Sequence, residues 1–281
     1  MKIDAHQHFW RYNPEDYSWI SDDMPALKQD RLPEHLQGPL LDSGFDACVA
    51  VQARQLEAET DFLLDIAANT GFVKAVVGWV ALRGEGLEPR LEHYAQFDAL
   101  KGFRHIVQDE PEDDFILGEA FIRGVKALKE FGFTYDILVF ERQLPAAVRF
   151  LEHFDDDQLF VLDHIGKPEV GKGMSRRWKD SISEMARHPN VCCKVSGLIT
   201  EADWNNWKAE DFYPFLEHVL ESFGVERLMV GSDWPVCLLA ADDYRQAVGV
   251  AEGFFSGLGE EERALVFGGN AARFYGINEE Q

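Results

Sequence analysis

Short runs of apolar and β-branched residues recur along the chain, each followed by a longer stretch whose apolar positions fall three or four apart. The runs cover 1–8, 46–53, 73–81, 100–107, 135–140, 159–165, 191–197 and 227–232. Most are almost continuously apolar, as strands buried on both faces must be. The stretches between them read as amphipathic helices. Phe121, Val125, Leu128 and Phe131 share one face, with Lys126 and Lys129 on the other. Leu144, Ala147, Val148 and Leu151 repeat the spacing, as do Phe215, Val219, Leu220 and Phe223. Gly71, Gly132 and Gly224 stand where a left-handed cap would end a helix. Eight strand–helix units predict a (β/α)8 TIM barrel, one α/β domain over residues 1–281. A doubly wound sheet is the alternative, because strand order is invisible in the pattern.

Two connections break the rhythm. Residues 9–30 follow the first strand and are rich in aromatics, Asp and Pro, including Trp10, Tyr12, Tyr17, Trp19 and Pro25. Residues 167–177 follow the sixth. In a barrel both would lie over the C-terminal mouth, where connecting loops build active sites.

Composition narrows the partners. The 281 residues carry 27 Lys+Arg against 50 Asp+Glu, a net charge of −23. Such a surface repels phosphate backbones and anionic lipid, so neither nucleic acid nor membrane is expected. No apolar run reaches the ~18 residues that a span needs, and the N-terminus lacks a signal-peptide core. Cys48, Cys192, Cys193 and Cys237 each sit in an apolar, strand-like stretch and read as buried reduced thiols of a cytoplasmic protein. Cys192 and Cys193, being adjacent, are expected on opposite faces.

The ends of the greasy runs carry the chemistry. His6 and His8, two apart on a strand, point to one side and suit a metal or an oxyanion. Gln52 and Arg54 end the second run, Arg104-His105 the fourth, Asp163-His164 the sixth, Lys194 and Ser196 the seventh, and Ser232-Asp233-Trp234 the eighth. Taken singly each has a bland explanation; Arg54, for instance, could pair with Glu57. Together they place ionisable groups at the same end of otherwise apolar strands, where burying unneeded charge would cost several kcal/mol each. His6, His8, His164 and Asp233 form a donor set for one divalent ion, or for polarising a carbonyl without one. Arg54, Arg104, Lys167 and Lys194 offer positive charge to an oxygen-rich substrate and a developing oxyanion. Asp233 is the candidate general base acting on water. Neither a G-x-S-x-G elbow nor a phosphate- or dinucleotide-binding glycine loop occurs.

Asp4-Ala5-His6-Gln7-His8-Phe9-Trp10, Val51-Gln52-Ala53-Arg54, Gly102-Phe103-Arg104-His105, Leu162-Asp163-His164-Ile165-Gly166-Lys167-Pro168, Lys194-Val195-Ser196-Gly197-Leu198 and Gly231-Ser232-Asp233-Trp234-Pro235 together resemble the amidohydrolase superfamily. The resemblance is to its amidohydrolase-2 branch, which holds sugar lactonases of the L-fuconolactonase and L-rhamnonolactonase types. Phe267-Gly268-Gly269-Asn270-Ala271-Ala272-Arg273-Phe274-Tyr275 matches that branch too, so the resemblance spans essentially the whole chain. It implies the same barrel and a hydrolase of carboxylic esters that opens an aldonolactone to its hydroxy acid. Asp233 would activate water, and His6, His8 and His164 would surround the carbonyl oxygen. Gln52, Arg54, Arg104, His105, Lys167, Lys194, Trp10 and Trp234 would hold the sugar.

Two departures matter. The bridging lysine that binuclear members place on the fourth strand is replaced here by Arg104-His105. Tyr135-Asp136-Ile137-Leu138 occupies the place of their fifth-strand histidine. The resemblance therefore implies no required metal, or a single divalent ion, zinc foremost, on His6, His8, His164 and Asp233. Within the superfamily the alternatives are a lactonase for a pyrone dicarboxylate or muconolactone, and a metal-dependent decarboxylase. Outside it stands a sugar-binding barrel without activity. The expected partner is a small sugar lactone in carbohydrate metabolism, with a homodimer left open.

Overall fold

In the structure, a computed structural model describing residues 1–278, all eight apolar runs form strands. They are β1 (Ile3–Gln7), β2 (Ala47–Val51), β3 (Val73–Gly78), β4 (Leu100–Ile106), β5 (Thr134–Leu138), β6 (Phe160–Leu162), β7 (Val191–Val195) and β8 (Leu228–Val230). Each pairs in parallel with the next, in strict chain order, which excludes the doubly wound alternative. The helices α1 (Pro33–Asp42), α2 (Glu57–Asn69), α3 (Leu87–Tyr94), α4 (Glu119–Glu130), α5 (Leu144–Leu151), α6 (Arg176–Met185), α7 (Ala209–Phe223) and α8 (Tyr244–Phe254) each follow the strand of the same number. The architecture is a (β/α)8 barrel.

Alternation along the strands sorts their side chains into two layers. Ala47, Val49, Val51, Ala75, Val77, Val161 and Met229 pack inside the barrel. Cys48, Ala50, Val76, Phe103, Tyr135, Ile137, Leu162 and Val230 pack outward against the helices. Cys193 belongs to the outer layer and Cys192 packs on the inner one, as adjacency requires. Cys237 departs from expectation: it lies in the 3₁₀ turn Val236–Leu239, because the chain has already left β8 at Val230. Gly71 departs as well. It has no positive φ, since α2 ends at Thr70 in an extended conformation; Gly132 and Gly224 do have one.

After α8 the chain turns beneath the barrel through α9 (Glu260–Ala264) and α10 (Asn270–Phe274). Ala271, Phe274, Tyr275 and Ile277 then pack against the inner layer. The Tyr275 hydroxyl donates to Asp136 Oδ2 at 2.9 Å, inside the barrel.

Closure joins β1 to β8 with little backbone pairing. A single bridge links Gln7 with Trp234. His8 N–H donates to Trp234 O at 2.7 Å and Asp233 N–H to His6 O at 2.8 Å. The buried Asp4 carboxylate reinforces this seam. Its Oδ1 accepts the N–H groups of His6 (3.1 Å) and Ser232 (2.8 Å). Its Oδ2 accepts the hydroxyls of Ser232 (2.6 Å) and Tyr244 (3.0 Å). Asp4→Ala leaves these buried donors without their acceptor, so chemical denaturation should show a loss of about 3 kcal/mol or more.

Candidate active site

The chemistry-bearing side chains converge at the C-terminal ends of the strands. Ile3 and Ala5 face the barrel interior, so strict alternation would turn His6 and His8 outward. A bulge between Asp4 and Gln7 shifts the register by one residue against β2. This brings His6 and His8 inside, a common use of bulges beside functional sites. His6 Nε2 and His8 Nε2 lie 3.3 Å apart.

Asp163-His164 and Asp233 project from places where the backbone stops being extended. The sixth run was expected to 165 and the eighth to 232, yet β6 ends at Leu162 and β8 at Val230. His164 (φ 55°), Ile165 (φ 46°), Lys167 (φ 48°) and Asp233 (φ 58°) are left-handed, and they are the only described non-glycine residues with positive φ. Such residues cost about 1–3 kcal/mol each and persist where the surroundings hold them. His164 Nδ1 is within 2.9 Å of Ser196 Oγ, and a Cβ on Gly197 would sit 2.5 Å from that nitrogen. Asp233 Oδ1 lies 3.3 Å from His8 Nε2 and 3.8 Å from His6 Nε2.

Beneath these groups the barrel holds a buried ionic network. Arg104 pairs with Asp163 at 2.9 Å, and Lys194 bridges Asp163 (3.1 Å) and Asp136 (2.5 Å). Arg104 also reaches His6 Nε2 at 3.2 Å, and Lys194 reaches His6 Nδ1 at 3.3 Å. Burial dominates the titration of the weaker-charged members. It pushes His6 well below the ordinary imidazole range, lowers His164 to about 4 and raises Asp136 to about 6. Burial acts on Asp163 and Asp233 as well, but is overcome by their neighbours. Lys194, His6 and Arg104 hold Asp163 well below the usual carboxylate range, and His164, His8 and His6 do the same for Asp233.

A cavity of about 290 Å³ opens above this floor. His8, His164, Asp233, Arg104 and Lys167 line it. His6 is buried directly behind them. The other sequence candidates do not line it. Lys194 is consumed by Asp136 and Asp163, and Gln52 is buried with its Nε2 donating to Arg104 O at 3.1 Å. Arg54 is bound by Asp16 and by Glu59, not Glu57. His105 faces away from Arg104 as its chain neighbour must, stacking on Phe115 and bonding Glu110 at 2.7 Å. Trp10 is buried against Tyr17 and Trp19, and Trp234 packs on Phe9 outside the cavity.

Sequence reasoning placed the segment after β1 over the mouth but missed the other loop contributions to the wall. Trp19 and Met24 come from the segment after β1, Gln108 and Asp109 from that after β4, Phe140 from that after β5, and Thr200, Glu201 and Trp204 from that after β7. The aromatic richness of residues 9–30 was the one signal that pointed to any of them.

The donor set fits a divalent ion. His8 Nδ1 lies 2.7 Å from Val51 O and must donate to it, leaving Nε2 as a lone pair in the neutral ring. That lone pair faces His6 Nε2 and the Asp233 carboxylate, an arrangement that is repulsive without a proton or cation among them. A point equidistant from three atoms at these separations lies roughly 2.0 Å from each, the usual Zn–N and Zn–O distance. His6, Asp163 and His164 make a second group with ligand atoms within 4.8 Å of one another.

Comparisons with known proteins agree in one direction. Residues 3–277 match the protein family described as amidohydrolase. An L-fucono-1,5-lactonase of Burkholderia multivorans is 42% identical over 99% of this chain and 97% of its own. A protein of the same name from Burkholderia ambifaria is 38% identical over 99% and 96%. An amidohydrolase crystal structure from Burkholderia multivorans with bound zinc superposes with a TM-score of 0.94 at 42% identity, covering 99% of this chain and all of that one.

The depressed His164 pKa has a measurable sign. Its folded value, about 4, lies below the unfolded imidazole value near 6.5. The unfolded chain therefore binds the proton first, and this group's stabilising contribution is present above about 6.5 and lost as pH falls toward 4. NMR titration of the chelator-treated protein should show the His164 ring still neutral at pH ~5.5.

Proposed function

This chain belongs to the amidohydrolase family, and from that membership we propose that it hydrolyses a neutral, polyhydroxylated sugar lactone to the open hydroxy acid. The observation that carries the reading is an ionised carboxylate, Asp233, set among histidines at the floor of a cavity of a small sugar's size. The full-length likeness to L-fucono-1,5-lactonases supports it.

Asp233, held far below the usual carboxylate range, is in its proton-accepting form throughout the neutral range. It takes a proton from the attacking water as the water oxygen bonds to the lactone carbonyl carbon. Negative charge then gathers on the carbonyl oxygen. Arg104 and the His164 ring, whose Nδ1 is taken by Ser196, are the donors for it, each such donor commonly contributing about 10²–10³ in rate. As the ring C–O bond breaks, Asp233 returns the proton to the departing alkoxide. Ser196 fixes the His164 ring, and the His6 ring is enclosed by Arg104, Lys194 and Asp163, so neither imidazole has to reorganise during the step. Zinc, when bound by His6, His8 and Asp233, would supply Lewis acidity toward the carbonyl or the water.

The wall suits a sugar. Trp19, Phe140 and Trp204 offer apolar faces to ring C–H groups, and Gln108, Asp109, Lys167 and Thr200 offer partners to hydroxyls. The segment after β1 covers this side of the mouth, tied down by backbone pairing of Trp10 with Arg31 and by the Arg54–Asp16 and Tyr17–Glu59 bonds. A dicarboxylate substrate finds less support. Arg104 is neutralised by Asp163 and Lys167 by Glu201.

Asp233→Asn should lower kcat for aldonolactone hydrolysis by at least about 10²-fold with the fold retained, read by a pH-indicator assay. Retention of more than about a tenth of turnover would sink the base assignment. Zinc added to chelator-treated protein should raise Tm, by about 2.7 kcal/mol of stabilisation at a hundredfold excess over Kd. That increment should vanish in His8→Ala.

A further inference from the structure

Lys167 is the only aliphatic cation among the described residues lining the cavity, and its charge is already paired. Its ammonium lies 3.0 Å from Glu201 Oε1 and 3.1 Å from Gln108 Oε1, and 5.0 Å from the centre of the Phe140 ring. Four strand-end segments therefore meet at one point: Lys167 follows β6, Gln108 follows β4, Phe140 follows β5 and Glu201 follows β7. The lysine backbone is left-handed at φ 48°, and its N–H bonds His164 O at 2.8 Å, so the side chain starts from a fixed base beside the reacting groups. Both partners of the pair are mostly enclosed, with 15% and 18% of their side chains exposed. The exposed carboxylate of Asp109 adds further negative charge to the cavity rim.

We propose that Glu201 is a specificity-determining residue that makes the cavity reject anionic lactones. The proposal rests on the lactonase reading and deepens it. By pairing with Lys167, Glu201 removes the one wall ammonium that a substrate carboxylate could engage. It also presents its own charge to any anion that approaches. A neutral polyol suffers neither effect, because its hydroxyls can accept from Lys167 and donate to Glu201. Discrimination by an unfavourable contact with the wrong ligand is a general route to specificity, and like charges brought together in a site are strongly disfavoured.

The experiment compares kcat/KM for a neutral aldonolactone with that for an aldarolactone carrying a free carboxylate. It uses the full chain and its Glu201→Gln, Glu201→Asp and Lys167→Met/Glu201→Gln variants. The unaltered protein should prefer the neutral lactone by about 10²-fold. Glu201→Gln should narrow that preference by about tenfold or more, chiefly through a lower KM for the anion. Glu201→Asp should keep the preference, and adding Lys167→Met to Glu201→Gln should remove the part of the gain that an unpaired Lys167 supplies. An unmoved ratio in folded Glu201→Gln, or a gain undiminished by loss of Lys167, would overturn the proposal. Failure of the unaltered protein to open any lactone would instead overturn the lactonase reading.

Discussion

The structure depends on closing a ring of eight strands whose first and last members also carry the chemistry. β8 is only three residues long, and it meets β1 through one bridge and two flanking backbone bonds. The buried Asp4 carboxylate makes up the deficit by accepting from both strands and from α8. Burial lifts its pKa to about 6, a measure of how unfavourable that position would be without its donors. Because Asp4 bonds the N–H of His6 and both donors of Ser232, the same anion that seals the barrel fixes the spacing of His6 and Asp233. Fold closure and site geometry are thus one interaction.

A second constraint acts where the strands end. All the described left-handed non-glycine residues lie just beyond β6 and β8, and three of them, His164, Lys167 and Asp233, line the cavity. An extended backbone would carry their side chains along the strand direction; the left-handed turn swings them over the barrel axis instead. The strain is held by the packed interior below it. There Arg104, Lys194, Asp136 and Asp163 neutralise one another without solvent. Such a network contributes little net stability compared with apolar packing, but removing any member strands its partners. It is a rigid floor rather than a source of folding energy.

Much of this was legible in the sequence. Strands buried on both faces announce themselves as unbroken apolar runs, and all eight were visible. His6, His8, His164 and Asp233 stood out because ionisable residues ended greasy segments, and the fold brings them together. Alternation alone could also have separated Arg104 from His105, since neighbours on a strand face opposite ways. Other features had no local signature. The bulge in β1 reverses the facing that Ile3 and Ala5 would predict, and nothing in the residue types marks it. Whether a strand-end cation meets substrate or a carboxylate depends on distant partners, as Arg54 with Glu59 and Lys194 with Asp136 illustrate. The loop residues of the wall follow no periodicity.

Tyr275 reaches into the barrel from a segment that follows every strand and helix of the ring, and its phenol joins Lys194 on the Oδ2 oxygen of Asp136. A chain leaving the ribosome in order therefore cannot satisfy its own interior until residue 275 has emerged. The last partner of a buried lumen carboxylate thus arrives only after all eight strands have been made.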